Sequence, residues 1–333
     1  FMTSEFYTDE GEKIDKPAEE IISKFVEITE IENRRYIGDD MSNSKIGYEA
    51  AKVAIEDAKI DPETLDYIIY ASNFGELGPD GSANFMPNMA ARVKNLLGIT
   101  NRKCITYDMI FGCPGWVEAM ILANNLIKAQ VAKNILVVGA ETLSRVTDPY
   151  DRNKMIFADG AGAVVVQATE QENVGIISHN TICDNGPELE YLRNGCTINP
   201  NVDDKKLYIR MLGRKIYEYA LKNVPAAIKE TIDDADLSLE DIDKVLIHQA
   251  NAKMDYAMIE RLHRLYNIRE YDHAISPMTI QSFGNSSVAT IPTMYDLIIK
   301  GKMEGQSFKE KGNIVMTSVG AGMNINAIVY RFP

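Results

Sequence analysis

Apolar positions in this chain come in two kinds of run. Residues 47–58 set Ala51, Val53, Ala54 and Ile55 among charged side chains, the spacing of a half-buried helix. Asp61-Pro62-Glu63 interrupts it, and Tyr67 to Ala71 is a short continuous apolar run that predicts a buried strand. Residues 115–129 are apolar on most faces and predict a buried helix, followed by strands at 135–139 and 163–166. Beyond residue 173 the order resumes: strand 174–178, helix 216–231, strand 245–247, helix 288–300, and strands 314–317 and 325–330. Alternating helices and strands, with the strands apolar throughout, predict an α/β layered fold.

The two series are copies. Leu65 to Tyr70 corresponds to Ile242 to Ile247, and Asn134 to Gly139 to Asn313 to Ser318. Phe111-Gly112-Cys113-Pro114-Gly115-Trp116 corresponds to Phe283-Gly284-Asn285-Ser286-Ser287-Val288. The duplication divides the chain into halves 1–168 and 174–333, with a charged, polar break near 167–173. Halves related by a pseudo-twofold bring equivalent loops together, so Cys113 and Asn285 are expected to face one another. The second half opens with strand 174–178, whose counterpart would fall at or before residue 1. The first half therefore lacks its opening strand, and a longer reading frame with on the order of 20 residues before Phe1 is expected.

Composition narrows the function. A length of 333 residues, with 45% apolar and 25% charged, is that of an ordinary globular protein with a substantial core. A net charge of −13 argues against nucleic-acid binding, which needs a basic face. No apolar stretch approaches the roughly 20 residues of a membrane span. Cys104, Cys113, Cys183 and Cys196 show no C-x-x-C spacing, which predicts free thiols, a cytoplasmic setting and no metal site.

Cys113 falls where a strand-like run gives way to a helix, and free N–H groups at a helix start favour a thiolate. His248 follows the strand ending at Ile247, on the side of an α/β layer where sites are built. Asn285 is an uncharged donor at the cysteine's counterpart position. Cys, His and Asn together supply a nucleophile, a group that polarises a carbonyl and a donor for a developing oxyanion or enolate. Taken alone, each has a plainer use: a small buried thiol, a satisfied imidazole, a helix cap. The glycines of Gly320-Ala321-Gly322 and Asp159-Gly160-Ala161-Gly162 read as tight turns, the latter leading into the next strand.

With Cys113, His248-Gln249-Ala250-Asn251, Gly284-Asn285-Ser286-Ser287, Asp159 to Gly162 and Gly320 to Gly322 in this order, the chain resembles the thiolase-fold condensing enzymes. Among them it is most similar to the β-ketoacyl-[acyl carrier protein] synthase III family, from about Glu20 to the C-terminus. The resemblance implies a thiolase-like αβαβα layered fold built from two duplicated halves, a homodimer and an acyl carrier protein as partner. It implies decarboxylative Claisen condensation in fatty acid biosynthesis, with acyl-CoA or acyl carrier as donor, a malonyl carrier as extender and no cofactor. It places the acyl group on Cys113, and the extender carbonyl and its enolate on His248 and Asn285. The N–H groups of Cys113 and Ala321 become the oxyanion hole, Met86 and Trp116 border the acyl tunnel, and Arg152, Lys253 and Arg261 contact the phosphopantetheine or the carrier.

Lys24 and Ile28 stand where the family holds the adenine end of coenzyme A with an aromatic and an arginine, which favours a carrier-bound donor. Asp148-Pro149-Tyr150-Asp151-Arg152 keeps the family's arginine. Pro114 after the cysteine and Trp116 resemble synthase III-like enzymes that join two acyl chains to a diketone for alkylresorcinol-type products. Two other classes have discriminating features: a non-catalytic acyl-binding subunit, which an intact Cys-His-Asn set opposes, and a cysteine hydrolase, which the duplication opposes.

Overall fold

The computed structural model describes residues 1–333. After helices α1 (Ala18–Thr29) and α2 (Asn43–Ala58) comes strand β1 (Tyr67–Ser72), then the short hairpin β2 (Glu76–Leu77) and β3 (Ala83–Asn84). Helix α3 (Met89–Leu96), β4 (Ile105–Ile110), α4 (Gly115–Lys128), β5 (Asn134–Thr142) and β6 (Asp159–Gln167) complete the first sheet. Its order is β4-β1-β5-β6, with β6 antiparallel to β5 and the other pairs parallel. The remainder runs β7 (Gly175–Cys183), the hairpin β8 (Leu192–Gly195) and β9 (Tyr208–Met211), α5 (Gly213–Asp233), β10 (Ile242–Ile247), α6 (Ala252–Leu265), α7 (Ile280–Phe283), α8 (Thr290–Ile299), β11 (Asn313–Gly320) and β12 (Asn324–Arg331). The second sheet is ordered β10-β11-β12-β7.

The shared order is β1-β5-β6 against β10-β11-β12, and each sheet adds one strand of its own. In the second sheet β7 lies outside β12, whereas β6 ends the first sheet with no strand beyond it. Side chains alternate across each strand, as the period of two demands. Ile69, Ala71, Ile135 and Val137 pack inward on α4 and α8, where Leu246, Ile314, Met316 and Ile328 of the second sheet meet them. Ile68, Tyr70, Leu136 and Val138 pack outward with Ala51, Ala54 and Val93 of α2 and α3. Val245, Ile247, Val315 and Val329 do the same with α5 and α6. Five layers result, helix-sheet-helix-sheet-helix. Burial on both faces is why these strands carry no polar alternation.

One expectation is corrected. Asp159 to Gly162 is not a turn before a strand but the start of β6, paired with β5 from Thr142↔Asp159 onward. The glycines serve packing: a Cβ on Gly162 would lie 2.7 Å from Pro292 of α8, so the helix seats directly on the backbone.

Helix α6 buries a carboxyl group without a partner. Asp255 is 1% exposed, neither carboxylate oxygen has a hydrogen-bond partner, and burial pushes its carboxyl well above the usual range. The folded chain therefore holds Asp255 protonated, whereas the unfolded chain ionises it near the ordinary value. Its penalty grows as pH rises from that value towards the folded one. Asp255→Asn is expected to raise stability by about 1–3 kcal/mol at neutral pH and by little in acid. Thermal melts at the two pH values check this.

Candidate active site

The loop Phe111 to Pro114 links β4 to α4. Its turn needs Gly112 at φ +92°, in the region only glycine adopts without strain, and a Cβ there would press on Ala321. The nucleophile candidate thus sits just before the N-terminus of a fourteen-residue helix. An ideal Cβ on Gly320 would lie 2.9 Å from Cys113 N, so the β11–β12 turn presses against this loop. Neither the Cys113 N–H nor the Ala321 N–H donates within the main chain.

His248 extends β10 by one residue, its N–H donating to the Thr317 carbonyl at 2.9 Å. Its ring is buried and Nδ1 has no partner. Burial pulls the imidazole down to about 4, only partly offset by the Ser287 main chain, so it is neutral at physiological pH. The adjacent Gln249, fully buried, accepts from the Thr279 and Ile280 N–H groups at 2.8 and 2.9 Å and donates to the Pro277 carbonyl. That clamp holds the segment leading to Asn285.

Asn285 is bracketed by the first half of the chain: its N–H donates to Ile156 and its carbonyl accepts from Ala158 N–H. Asn285 Oδ1 accepts from Ser287 N–H at 2.8 Å, which leaves Nδ2 as the free donor. Cys113, His248 and Asn285 all line one cavity of about 640 Å³, so the duplicated loops meet as a pseudo-twofold requires. Apolar side chains such as Phe25, Ile156 and Met254 dominate its walls, and Lys16, Lys24, Ile28 and Arg152 also line it. A second cavity of about 390 Å³ is bordered by Cys113, Leu143, Leu189, Ile209, Ser287 and Ala321. Cys113 lies on the partition between them.

The other sequence candidates are placed as follows. Trp116 is buried in the central core against Gly139 and borders neither cavity, and Met86 stands on the surface, 85% exposed. Lys253 borders a shallow groove with Tyr256, Glu260 and Arg269. Arg261 turns away to donate to the Leu221 carbonyl of α5, and Arg264 pairs with Glu260. No cluster of three His, Cys, Asp or Glu side chains has metal-site geometry, and no helix is long and apolar enough to cross a membrane.

Burial works against the helix end at Cys113. It pushes the thiol up to about 12, and the Ser287 side chain is the main counterweight. Sequence reasoning did not find the groups behind the thiol. Glu141, closing β5, is buried and raised to about 8, and Asn73 donates to it. A lone carboxylate ending an apolar strand run was the available signal for Glu141; Asn73 carries none.

The family described as 3-oxoacyl-[acyl-carrier-protein] synthase III matches residues 107–185, and its C-terminal part matches residues 232–332. A β-ketoacyl-[acyl-carrier-protein] synthase III from Erythrobacter litoralis is 34% identical over 313 residues, covering 92% of this chain and 89% of that one. The chain belongs to the β-ketoacyl-[acyl-carrier-protein] synthase III family. A second family member, from Staphylococcus haemolyticus, is 33% identical over 95% of this chain and 90% of its own. The crystal structure of the synthase III from Aquifex aeolicus superposes with a TM-score of 0.78 at 30% identity, over 93% of this chain and 91% of that one. The five layers described above are thus the family's thiolase fold.

Proposed function

We propose that this chain, an acyltransferase of fatty acid biosynthesis, forms a carbon–carbon bond by decarboxylative Claisen condensation. Convergence of Cys113, His248 and Asn285 on one cavity, with Cys113 also bordering a second, carries the reading. The smaller cavity takes the acyl chain and the larger one the pantetheine arm that delivers each thioester. Cys113 attacks the donor carbonyl, whose developing oxyanion lies against the Cys113 and Ala321 N–H groups. The malonyl arm then enters; loss of CO2 leaves enolate charge on the thioester oxygen, held by the neutral His248 ring and Asn285 Nδ2. The enolate carbon attacks the acyl-cysteine and the thiolate leaves. Neither step calls for a metal or redox cofactor.

Lys24 and Ile28 offer no ring or guanidinium to an adenine, so we read the acyl donor as carrier-bound too. Ile105, Tyr107 and Ile110 leave the outermost strand β4 apolar and exposed, and Phe85 and Met86 are exposed as well. An uncovered apolar edge of this kind calls for a partner, and we read a second copy of the chain there. Four free cysteines fit a reducing cytoplasm. Intact mass tests the whole reading: the acyl increment appears with an acyl carrier and disappears, with CO2 release, on adding a malonyl carrier. A chain that never gains the increment overturns it.

The acidic carrier is expected at the groove around Lys253. Lys253→Glu should raise the KM for carrier-bound extender several-fold and leave a small thioester analogue unaffected, since a rim charge acts mainly on encounter. A Lys253→Glu variant with no change in KM for either substrate removes this groove from the docking site.

A further inference from the structure

The wall behind Cys113 holds a carboxyl group that the chemistry above does not use. Glu141 has no exposed surface. The Asn73 N–H donates to its Oε1 at 2.7 Å, and the Asn73 side-chain amide donates to the same oxygen. That amide also donates to Ser287 Oγ at 2.8 Å. Ser287 Oγ thus accepts from Asn73 while its own proton stays free to give. The hydroxyl lies near both the Cys113 thiol and the Glu141 carboxyl, and of its neighbours only the Asn73 amide closes a hydrogen bond to it. Glu141 Oε2 is buried without a partner.

Two features set this cluster apart from ordinary packing. Ser287 sits at φ +53°, disfavoured for a side chain with a Cβ, and the Asn285 cap on its N–H holds it there. A buried acid with an unmade hydrogen bond also destabilises the fold, which an amide or an apolar side chain would avoid. The titratable groups facing Glu141 are Cys113 before α4, Asp159 at the head of β6 and Tyr70 of β1, and none of them is a cation.

We propose that Glu141 receives the Cys113 proton through the Ser287 hydroxyl when the cysteine is acylated. The Sγ–H bond breaks as its proton passes to Ser287 Oγ, and the Ser287 proton passes to the Glu141 carboxylate. The thiolate forms the new C–S bond at the thioester carbonyl carbon. When the tetrahedral intermediate collapses, the donor C–S bond breaks and the leaving thiolate takes the proton back along the same path. Glu141 is ionised again, and no further reactant is consumed. Neutral His248 is a poor acceptor for this proton, with its imidazole pulled down to about 4. Glu141, raised to about 8, gains its basic form across the neutral range and is better matched to a thiol.

The proposal rests on Cys113 being the acylated residue. Its test is the rate of Cys113 alkylation by iodoacetamide from about pH 6 to pH 10, mapped by peptide mass spectrometry. Wild type is expected to rise with an inflection near 8, the value at which Glu141 ionises. Glu141→Gln and Ser287→Gly should each lose the inflection and react roughly tenfold or more slowly at neutral pH, approaching wild type only in strong base. Ser287→Gly removes the hydroxyl while relaxing the backbone, so it decides the matter alone where Glu141→Gln fails to fold. Superimposable profiles, or a drop that is uniform at every pH, overturn the relay. A wild-type Cys113 inert to both iodoacetamide and acyl thioesters overturns the condensing reading, and the relay with it.

Discussion

Cys113→Ser abolishes acyl transfer, with an expected loss of roughly a thousandfold or more. A serine hydroxyl at this position is a far weaker nucleophile than a thiol, and no imidazole able to take its proton is nearby, since His248 is held neutral and poorly basic. After incubation with an acyl thioester, wild type carries the acyl increment on the peptide containing Cys113, and the variant carries none. Cys104 is buried and Cys183 and Cys196 are exposed, so all three serve as internal controls. Labelling confined to any of them would move the site elsewhere. The variant should keep the wild-type fold, because the turn depends on Gly112 rather than on the sulfur.

His248→Ala separates the two half-reactions. Acyl-enzyme still accumulates, because the acylation oxyanion lies against the N–H groups of Cys113 and Ala321. Release of CO2 from a malonyl carrier falls about 10²- to 10³-fold, the usual loss for one donor to a developing oxyanion. Asn285→Ala follows the same pattern, although it also frees the Ser287 N–H and so disturbs the loop. Equal loss of both half-reactions in His248→Ala would assign the ring to cysteine activation instead. The folded imidazole titrates near 4 rather than at its ordinary 6.5, so the unfolded chain binds this proton first on acidification. Its contribution to stability is present above about pH 6.5 and lost as pH falls to about 4.

Much of the architecture was legible because burial on both faces leaves a strong mark. Strands β1, β5, β10 and β11 each carry a continuous apolar run, and their repeated order showed the duplication. Strand β6 ends at Gln167 and β7 begins at Gly175. Strand β4 was read only as a strand-like run before Cys113, without bounds, because its residues show no fully buried face; Ile105, Tyr107 and Ile110 look outward. Helices α1 and α3 and the two hairpins were missed, being short or mixed in composition.

At the site, sequence by itself singled out Cys113, His248 and Asn285, because a pseudo-twofold brings equivalent loops together whatever packs around them. It also supported a helix end that favours a thiolate, since the turn before α4 is a local feature. Only the tertiary structure decided the electrostatics. Desolvation depends on everything that covers a group, and here it outweighs the helix end at Cys113, neutralises His248 and lifts Glu141. The same holds for Asn73, Glu141 and Ser287. Asn73 and Glu141 are 68 residues apart, and Asn73 and Ser287 are 214 apart. Long-range hydrogen bonds of this kind leave no period and no spacing in a chain, because sheet pairing and layer packing, rather than neighbourhood along the backbone, bring their partners together.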